Sequence, residues 1–306
     1  MMHPSEHRVA IILVNWNGYE LTKACIQSIR AVETVPHTLI VVDNNSDDRS
    51  GEKLKSAFPE IQLIQLPTNT GFTGGNNIGI DWALQNNFDY ILLLNNDTLI
   101  YTDFLLPMIK FLDENADYVG AQPKILLAKN RNIIWNAGGS YLNYFGSTSS
   151  IGIGEKNLGQ YDDEKDTAWI TGCAFLVRST VVKEIGKLDD RFFAYYEDVD
   201  WSLRMKKKGY KLRYLPKAQI LHVVAGSSIG KSTKQGNVPA KIHFYRIRNH
   251  LFLIRKHANP LAFILSYAYQ TIKNTAFVFY FLVNLKFEKL QAVIKGHVVG
   301  SFSRLD

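Results

Sequence analysis

The chain has 306 residues, 46% of them hydrophobic, and a net charge of +7, which suits either two average domains or one large α/β domain with an appendage. Its only cysteines, Cys25 and Cys173, are too few and too far apart for a disulfide framework or a cysteine-based metal site, so a reducing, cytoplasmic compartment is expected. The polar stretch from Met1 to Arg8 runs straight into a strand-like segment and lacks the pattern of a secretory signal peptide. From Trp201 onward the chain carries 19 Lys and Arg against only Glu288 and Asp306, so the basic charge belongs to the last third and calls for an anionic partner there.

In chain order, strand-like runs at Val9 to Val14, Thr38 to Val42, Ile61 to Gln65, Tyr90 to Leu94 and Val119 to Gln122 alternate with helical patterns. The helices are expected at Leu21 to Arg30, Gly51 to Phe58, Asn76 to Gln85 and Asp103 to Glu114. That alternation predicts a mostly parallel sheet covered on both faces. From Lys124 to Asp166 the pattern loosens into a turn-rich insertion bordering the site. A strand at Trp169 to Val177, a helix at Asp198 to Lys208 and a short strand at Ala218 to Val223 follow. Beyond Pro239 the sequence is helical, aromatic and basic.

Five polar groups sit at the ends of apolar runs: Asn15-Trp16-Asn17, Asp43-Asn44-Asn45-Ser46, Asn95-Asn96-Asp97, Glu197-Asp198-Val199-Asp200-Trp201 and His222. Each alone reads as turn chemistry. Together they converge, because the carboxyl ends of parallel strands open on one crevice. Gly71, Gly74, Gly75 and Gly79 come directly before a helical pattern, where glycine lets backbone approach a ligand and a helix N-terminus favours an anionic diphosphate. The run lacks the last glycine of a dinucleotide fingerprint, which disfavours a Rossmann dehydrogenase.

These stretches, with Val14-Asn15-Trp16-Asn17, Asn69 to Asn77 and Thr171-Gly172-Cys173, resemble the inverting family 2 glycosyltransferases of the GT-A fold over roughly Arg8 to Ile254. The likeness is greatest to rhamnosyltransferase-like members that build bacterial surface polysaccharides. The resemblance implies a Rossmann-like sheet with helices on both faces, a nucleotide-sugar half at 1–123 and an acceptor half at 124–239. Residues 240–306 would form C-terminal amphipathic helices that associate with membrane.

Donor binding is assigned to Val14, Asn15, Asn17, Asp43, Gly71, Asn76, Asn77 and Asn96, with Asp43 taking the nucleobase or ribose; its bland alternative is capping its own turn. Asn76 and Asn77, at the expected helix start, either cap it or touch the donor. Asn95-Asn96-Asp97 corresponds to the family's metal motif with its first carboxylate replaced by an amide, which leaves Asp97 as the anionic ligand of Mg²⁺ or Mn²⁺. His222 stands where the family places a further metal ligand; a lone histidine on an apolar strand is otherwise a core residue. Glu197 and Asp198 match the catalytic pair, with Asp198 as general base, though both also suit a helix's first turn. Phe192, Phe193, Tyr195, Tyr196 and Trp201 either floor a sugar cleft or belong to the core.

Ala225 to Ser232 nearly spells a P-loop, but the following Gly236 and Pro239 forbid the helix it must open, and a lid carrying Lys231 or Lys234 is the better reading. In the tail, Lys241 to Arg255 predicts a basic amphipathic helix, and Leu261 to Val283 is interrupted by Gln270, Lys273 and Asn274. Helices lying on the inner leaflet of the plasma membrane, or a homodimer contact, are expected; nucleic acid is not. The expected reaction moves a sugar from a nucleotide-diphosphate donor, dTDP-rhamnose ahead of a UDP-sugar, to a saccharide or polyprenyl-diphosphate-linked acceptor with inversion. A sugar nucleotidyltransferase and a non-catalytic saccharide or membrane adaptor are the alternatives.

Overall fold

The computed structural model describes residues 7–224 and 238–305. The near P-loop and the expected lid lysines lie outside the described residues. In chain order the elements are β1 (Val9–Asn15), α1 (Tyr19–Val32), β2 (His37–Asp43), α2 (Ser50–Ala57), β3 (Gln62–Gln65), α3 (Gly71–Gln85), β4 (Tyr90–Leu94), β5 (Thr98–Ile100) and α4 (Leu105–Glu114). They continue with β6 (Tyr118–Leu127), β7 (Asn130–Asn136), β8 (Gly139–Leu142), β9 (Ser147–Ser150), β10 (Lys165–Asp166), β11 (Ala174–Arg178), α5 (Ser179–Ile185), α6 (Glu197–Lys207) and β12 (Lys211–His222). Three helices follow: α7 (Ala240–His257), α8 (Pro260–Val283) and α9 (Phe287–Phe302).

Two compact units emerge, the first made of residues up to 140 with 150–193 and 197–224, the second of 141–149, 194–196 and the C-terminal residues. The first unit is built on a ten-stranded sheet in the order β10-β12-β6-β11-β4-β1-β2-β3, with β5 against β12 and β7 against β6. Strands β1 to β4 run parallel, and β11 is antiparallel to both β4 and β6. Alternation within the strands sorts two cores. Val9, Ile11 and Leu13 pack with Cys25, Ile26 and Ile29 of α1 and Leu54 of α2, while Ala10 and Ile12 pack with Ile80 and Ala83 of α3 and Trp201 and Met205 of α6. Helices therefore cover both faces, as the alternation predicts.

Several boundaries differ from the sequence expectation for identifiable reasons. The short strands expected at Val119 and Ala218 are parts of long β6 and β12, which pair in parallel across a bulge between Leu215 and Gln219. The strand expected from Trp169 begins only at Ala174, because Thr171 accepts a 3.2 Å bond from the Ala174 N–H and closes a turn. Helix α3 begins at Gly71 rather than Asn76. Gly75 and Gly79 are thus interior helical residues that permit close packing: a Cβ on Gly75 would lie 2.8 Å from Val14 and one on Gly79 2.6 Å from Ile12.

In the second unit α7 is central and largely buried, Leu251 to Ile254 being at most 4% exposed. This corrects the expectation of a surface amphipathic helix at Lys241 to Arg255. Helix α9 crosses α7 closely through Gly296 and Gly300, whose absent Cβ atoms would stand 2.8 and 2.9 Å from the Phe244 and Arg248 carbonyl oxygens. The Asn249 amide donates to the carbonyls of Ala194 and Tyr195 at 2.7 and 2.8 Å, and the Tyr196 ring stacks on His250.

The α3–sheet packing is testable through Gly79→Ala. Alanine gains about 1 kcal/mol in helix propensity, but its methyl would strike the fully buried Ile12, and overpacking costs about 1–3 kcal/mol. A lowered urea midpoint is expected; a raised one would show that α3 stands off β1.

Candidate active site

The parallel register places Asn15 opposite Asp43 at the carboxyl ends of β1 and β2. Asp43 is buried at 5% exposure, and a buried carboxylate needs donors. Asn15 Nδ2 donates to its Oδ1 at 2.7 Å, as does Ser46 Oγ at 2.6 Å, and the Ser46 N–H reaches Oδ2 at 3.2 Å. The other end of the Asn15 amide accepts from Thr22 Oγ1 at 2.9 Å, and Thr22 in turn accepts from Asn96 Nδ2 at 2.8 Å. The donors thus run head to tail from Asn96 through Thr22 and Asn15 to the charged carboxylate, an arrangement in which each bond polarises the next.

Around this chain the other predicted donor residues fall into two groups. Asn17, at φ 51°, uses its Oδ1 to accept the Asp47 N–H at 2.8 Å and its own N–H to reach Ser46 Oγ at 2.9 Å, stapling the loops after β1 and β2. Gly71 has φ 76°, and a Cβ there would lie 2.4 Å from the Phe193 carbonyl oxygen; its own carbonyl accepts from the Asn44 amide at 2.8 Å. Val14 lies against Gly75. Asn76 and Asn77 are not at a helix start. Both are buried, with the Asn76 amide donating to Phe72 O at 2.8 Å. Asn77 donates to Leu188 O at 2.8 Å and Asp190 Oδ1 at 2.7 Å and accepts the Leu188 N–H at 3.1 Å, so it tethers α3 to the segment before the acidic pair.

Backbone bonds carry the acidic pair to the same edge. The Asn95 N–H donates to Cys173 O at 2.9 Å, and the neighbouring Gly172 N–H donates to Asp198 Oδ2 at 2.9 Å. Asp198 Oδ1 accepts from the Val199 N–H at 2.8 Å, at the start of α6. Glu197 is 6% exposed and its Oε2 has no hydrogen-bond partner. Burial, and after it the Asp198 charge, pushes the Glu197 carboxyl well above the ordinary carboxylate range. Burial also raises Asp198, against backbone N–H groups that favour its charged form. Both members of the pair are thus biased toward holding a proton, Glu197 the more deeply buried of the two and the half-buried Asp198 supported by backbone donors. Asp200 serves the fold: it is fully buried and accepts from Arg204 Nε at 2.9 Å. Phe192 and Trp201 are core residues at 0% exposure, whereas Phe193, Tyr195 and Tyr196 all hold positive φ, a strained run immediately before the pair.

At the end of β12 the His222 Nε2 lies 3.0 Å from Asp97 Oδ1. The His222 ring is buried against Trp135, centroids 4.3 Å apart, and its Nδ1 has no hydrogen-bond partner. A carboxylate oxygen and an imidazole nitrogen side by side, with a buried ring nitrogen left over, form a donor set that fits a divalent cation. Among the described residues no third His, Cys, Asp or Glu completes a cluster, so substrate oxygens and water would fill the remaining positions.

Thr22 went unremarked in the sequence reading although a signal was present. It shares the buried stripe of α1 with Cys25, Ile26 and Ile29, and a hydroxyl on a buried face must find partners.

A mixed sheet covered on both faces, with amides and carboxylates gathered at the carboxyl edge of its parallel strands, is the architecture of the GT-A fold. The sequence matches the model of glycosyl transferase family 2 over residues 10–186, more than half of the chain, and the chain belongs to that family. It is 26% identical over 229 residues to the dTDP-rhamnosyl transferase RfbF of Shigella flexneri, covering 73% of this chain and 72% of that protein. Similarity to the rhamnosyltransferase WbbL of Escherichia coli (strain K12) is 25% over 222 residues, covering 70% and 83% of the two chains. Among solved structures, GalNAc-T7 with UDP, GalNAc and Mn²⁺ superposes with a TM-score of 0.63 at 13% identity over 81% of this chain, which spans about half (48%) of that one. For S. aureus TarS the TM-score is 0.53 at 14% identity, covering 83% and 41% of the two chains. These structural likenesses concern the fold.

Two substitutions test the geometry. Thr22→Val keeps the shape but strands Asn15 Oδ1 and Asn96 Nδ2, so a loss of about 1–3 kcal/mol in denaturant unfolding is expected, largely restored by Thr22→Ser. For Glu197, the folded pKa is raised, so its contribution is fully present below the unfolded value of about 4.3 and is lost as pH rises toward the folded one. Glu197→Gln should flatten the fall in stability above that pH, and an unchanged slope would mean that Glu197 ionises freely.

Proposed function

We propose that this chain transfers a sugar, rhamnose by preference, from a nucleoside-diphosphate donor to the hydroxyl of a lipid-linked saccharide, with inversion, in the synthesis of a bacterial surface polysaccharide. The observation that carries the reading is the half-buried Asp198 carboxylate, fixed by two backbone N–H groups beside the buried Glu197 and at the sheet edge that also holds Asp43 and Asp97. A base must keep one lone pair free and have an affinity for protons raised toward the working pH, and burial gives Asp198 that bias. It would take the proton of the acceptor hydroxyl as that oxygen attacks the anomeric carbon and the diphosphate leaves from the opposite face.

Asp43, held rigid by Asn15 and Ser46, would accept from the ribose or base. Asp97 and His222 would hold Mg²⁺ or Mn²⁺. The cation's chemistry there is neutralisation of the charge that gathers on the leaving diphosphate. The names of the relatives, rhamnosyl transferases that include one using a dTDP donor, support dTDP-rhamnose ahead of a UDP-sugar, and a polyprenyl-diphosphate-linked saccharide is the acceptor that suits the basic C-terminal unit. That unit would draw the protein to the anionic inner leaflet of the plasma membrane.

The test is release of dTDP from dTDP-rhamnose with Mg²⁺ or Mn²⁺ and lipid-linked saccharide acceptors, with the product's anomeric configuration read by NMR. Asp198→Asn should lower kcat by about 10²–10⁴-fold while dTDP binding persists, and Asp97→Ala should abolish the metal dependence of dTDP binding. Full turnover by the Asn variant would remove Asp198 as base.

A further inference from the structure

Helix α8 is built inside out. Its buried residues include Ser266, Gln270 and Asn274, spaced four apart on one face. These polar groups have partners within their own unit: Ser266 Oγ donates to Ala262 O at 2.6 Å, Gln270 to Phe145 O at 3.4 Å, and the Asn274 amide meets His297 Nδ1 at 3.2 Å. The opposite face carries Leu261, Ile264, Leu265, Ile272, Phe279 and Val283, exposed by between 47% and 80%. A helix on a water-soluble protein shows the reverse pattern, apolar in and polar out. The interruptions that Gln270, Lys273 and Asn274 make in the sequence therefore leave the outward face unbroken, and the helix's one charged residue, Lys273, is only partly exposed.

Charge decides what covers this face. Residues 238–305 contain ten Lys and Arg against the single acid Glu288. Two copies meeting through such units would repel, whereas anionic lipid headgroups attract them by about 1 kcal/mol per basic residue at the surface. No helix among the described residues is long and apolar enough to cross a membrane. An in-plane position satisfies both facts, with the apolar face sunk about 5–10 Å into the boundary between headgroups and acyl chains.

We propose that the outward face of α8 is a lipid-inserting surface that beds the C-terminal unit in the acyl region of an anionic bilayer. This rests on the membrane-surface reading and adds hydrocarbon contact to it. The experiment mixes the full chain with vesicles of phosphatidylcholine alone or with phosphatidylglycerol, in the absence of any donor, and measures co-sedimentation. The wild type should bind the anionic vesicles, and Ile272→Trp should be quenched by brominated acyl chains. The variant Ile264→Ser/Ile272→Ser/Phe279→Ser, which alters only exposed side chains, should keep its circular dichroism and bind at least about a hundredfold more weakly.

Anionic binding that persists in the triple variant without quenching would overturn insertion while leaving a purely electrostatic surface contact. A wild type that ignores both vesicles would overturn the membrane reading as well. If it also runs as a dimer that the triple variant dissociates, the face belongs to a second copy. None of these outcomes touches the catalytic reading, which is decided by donor turnover.

Discussion

The buried carboxylate of Asp43 is the constraint on which the carboxyl edge of β1 and β2 depends. A carboxyl group 5% exposed is tolerable only with hydrogen-bond partners already in place, and the parallel register of β1 and β2 sets Asn15 opposite it. Satisfying Asn15 then requires Thr22 on α1, and satisfying Thr22 draws in Asn96 beyond β4. Three elements of the crevice wall are thereby fixed relative to one carboxylate. In the proposed donor-binding role the Asp43 carboxylate would need no further ordering, which spares the cost of immobilising it on binding.

Across the same edge the acidic pair shows the opposite use of burial. Asp43 is surrounded by donors, whereas Glu197 lies in a place where its Oε2 finds none and burial pushes its carboxyl well above the ordinary range. Within the pair, burial raises both carboxyls, and at Asp198 the two backbone donors work against that rise. Three residues of positive φ, Phe193, Tyr195 and Tyr196, precede the pair. Strained backbone of that kind persists only where surrounding structure imposes it, as the Asn249 amide does for Ala194 and Tyr195 within the second unit.

Much of the site was legible because strand ends announce themselves. An apolar run stopping at Asn15, Asp43 or Asn95 marks both a parallel strand and its carboxyl edge, and the doubly covered sheet follows from the same alternation. What escaped notice depended on partners distant in sequence. The glycines from Gly71 to Gly79 read as a loop because glycine disfavours helices by propensity, yet tight contact with Val14 and Ile12 on the sheet demands residues without side chains there. Asn76 and Asn77 looked like groups at a helix start and proved to be interior ties. Lys241 to Arg255 looked like a surface helix and proved to be the buried centre of its unit.

The sequence by itself determined the alternating α/β class, the order of the parallel strands' polar ends and the basic character of the last third, since period, strand length and charge are local properties of the chain. Tertiary structure alone decided that Thr22 links Asn96 to Asp43, that Glu197 is buried with one carboxyl oxygen unpartnered, and which side of α8 faces outward. The reason is the same in each case. Hydrogen-bond partners, desolvation and the direction of an amphipathic face depend on which groups folding brings together, and a helix with one polar and one apolar stripe has the same sequence whichever stripe it turns inward.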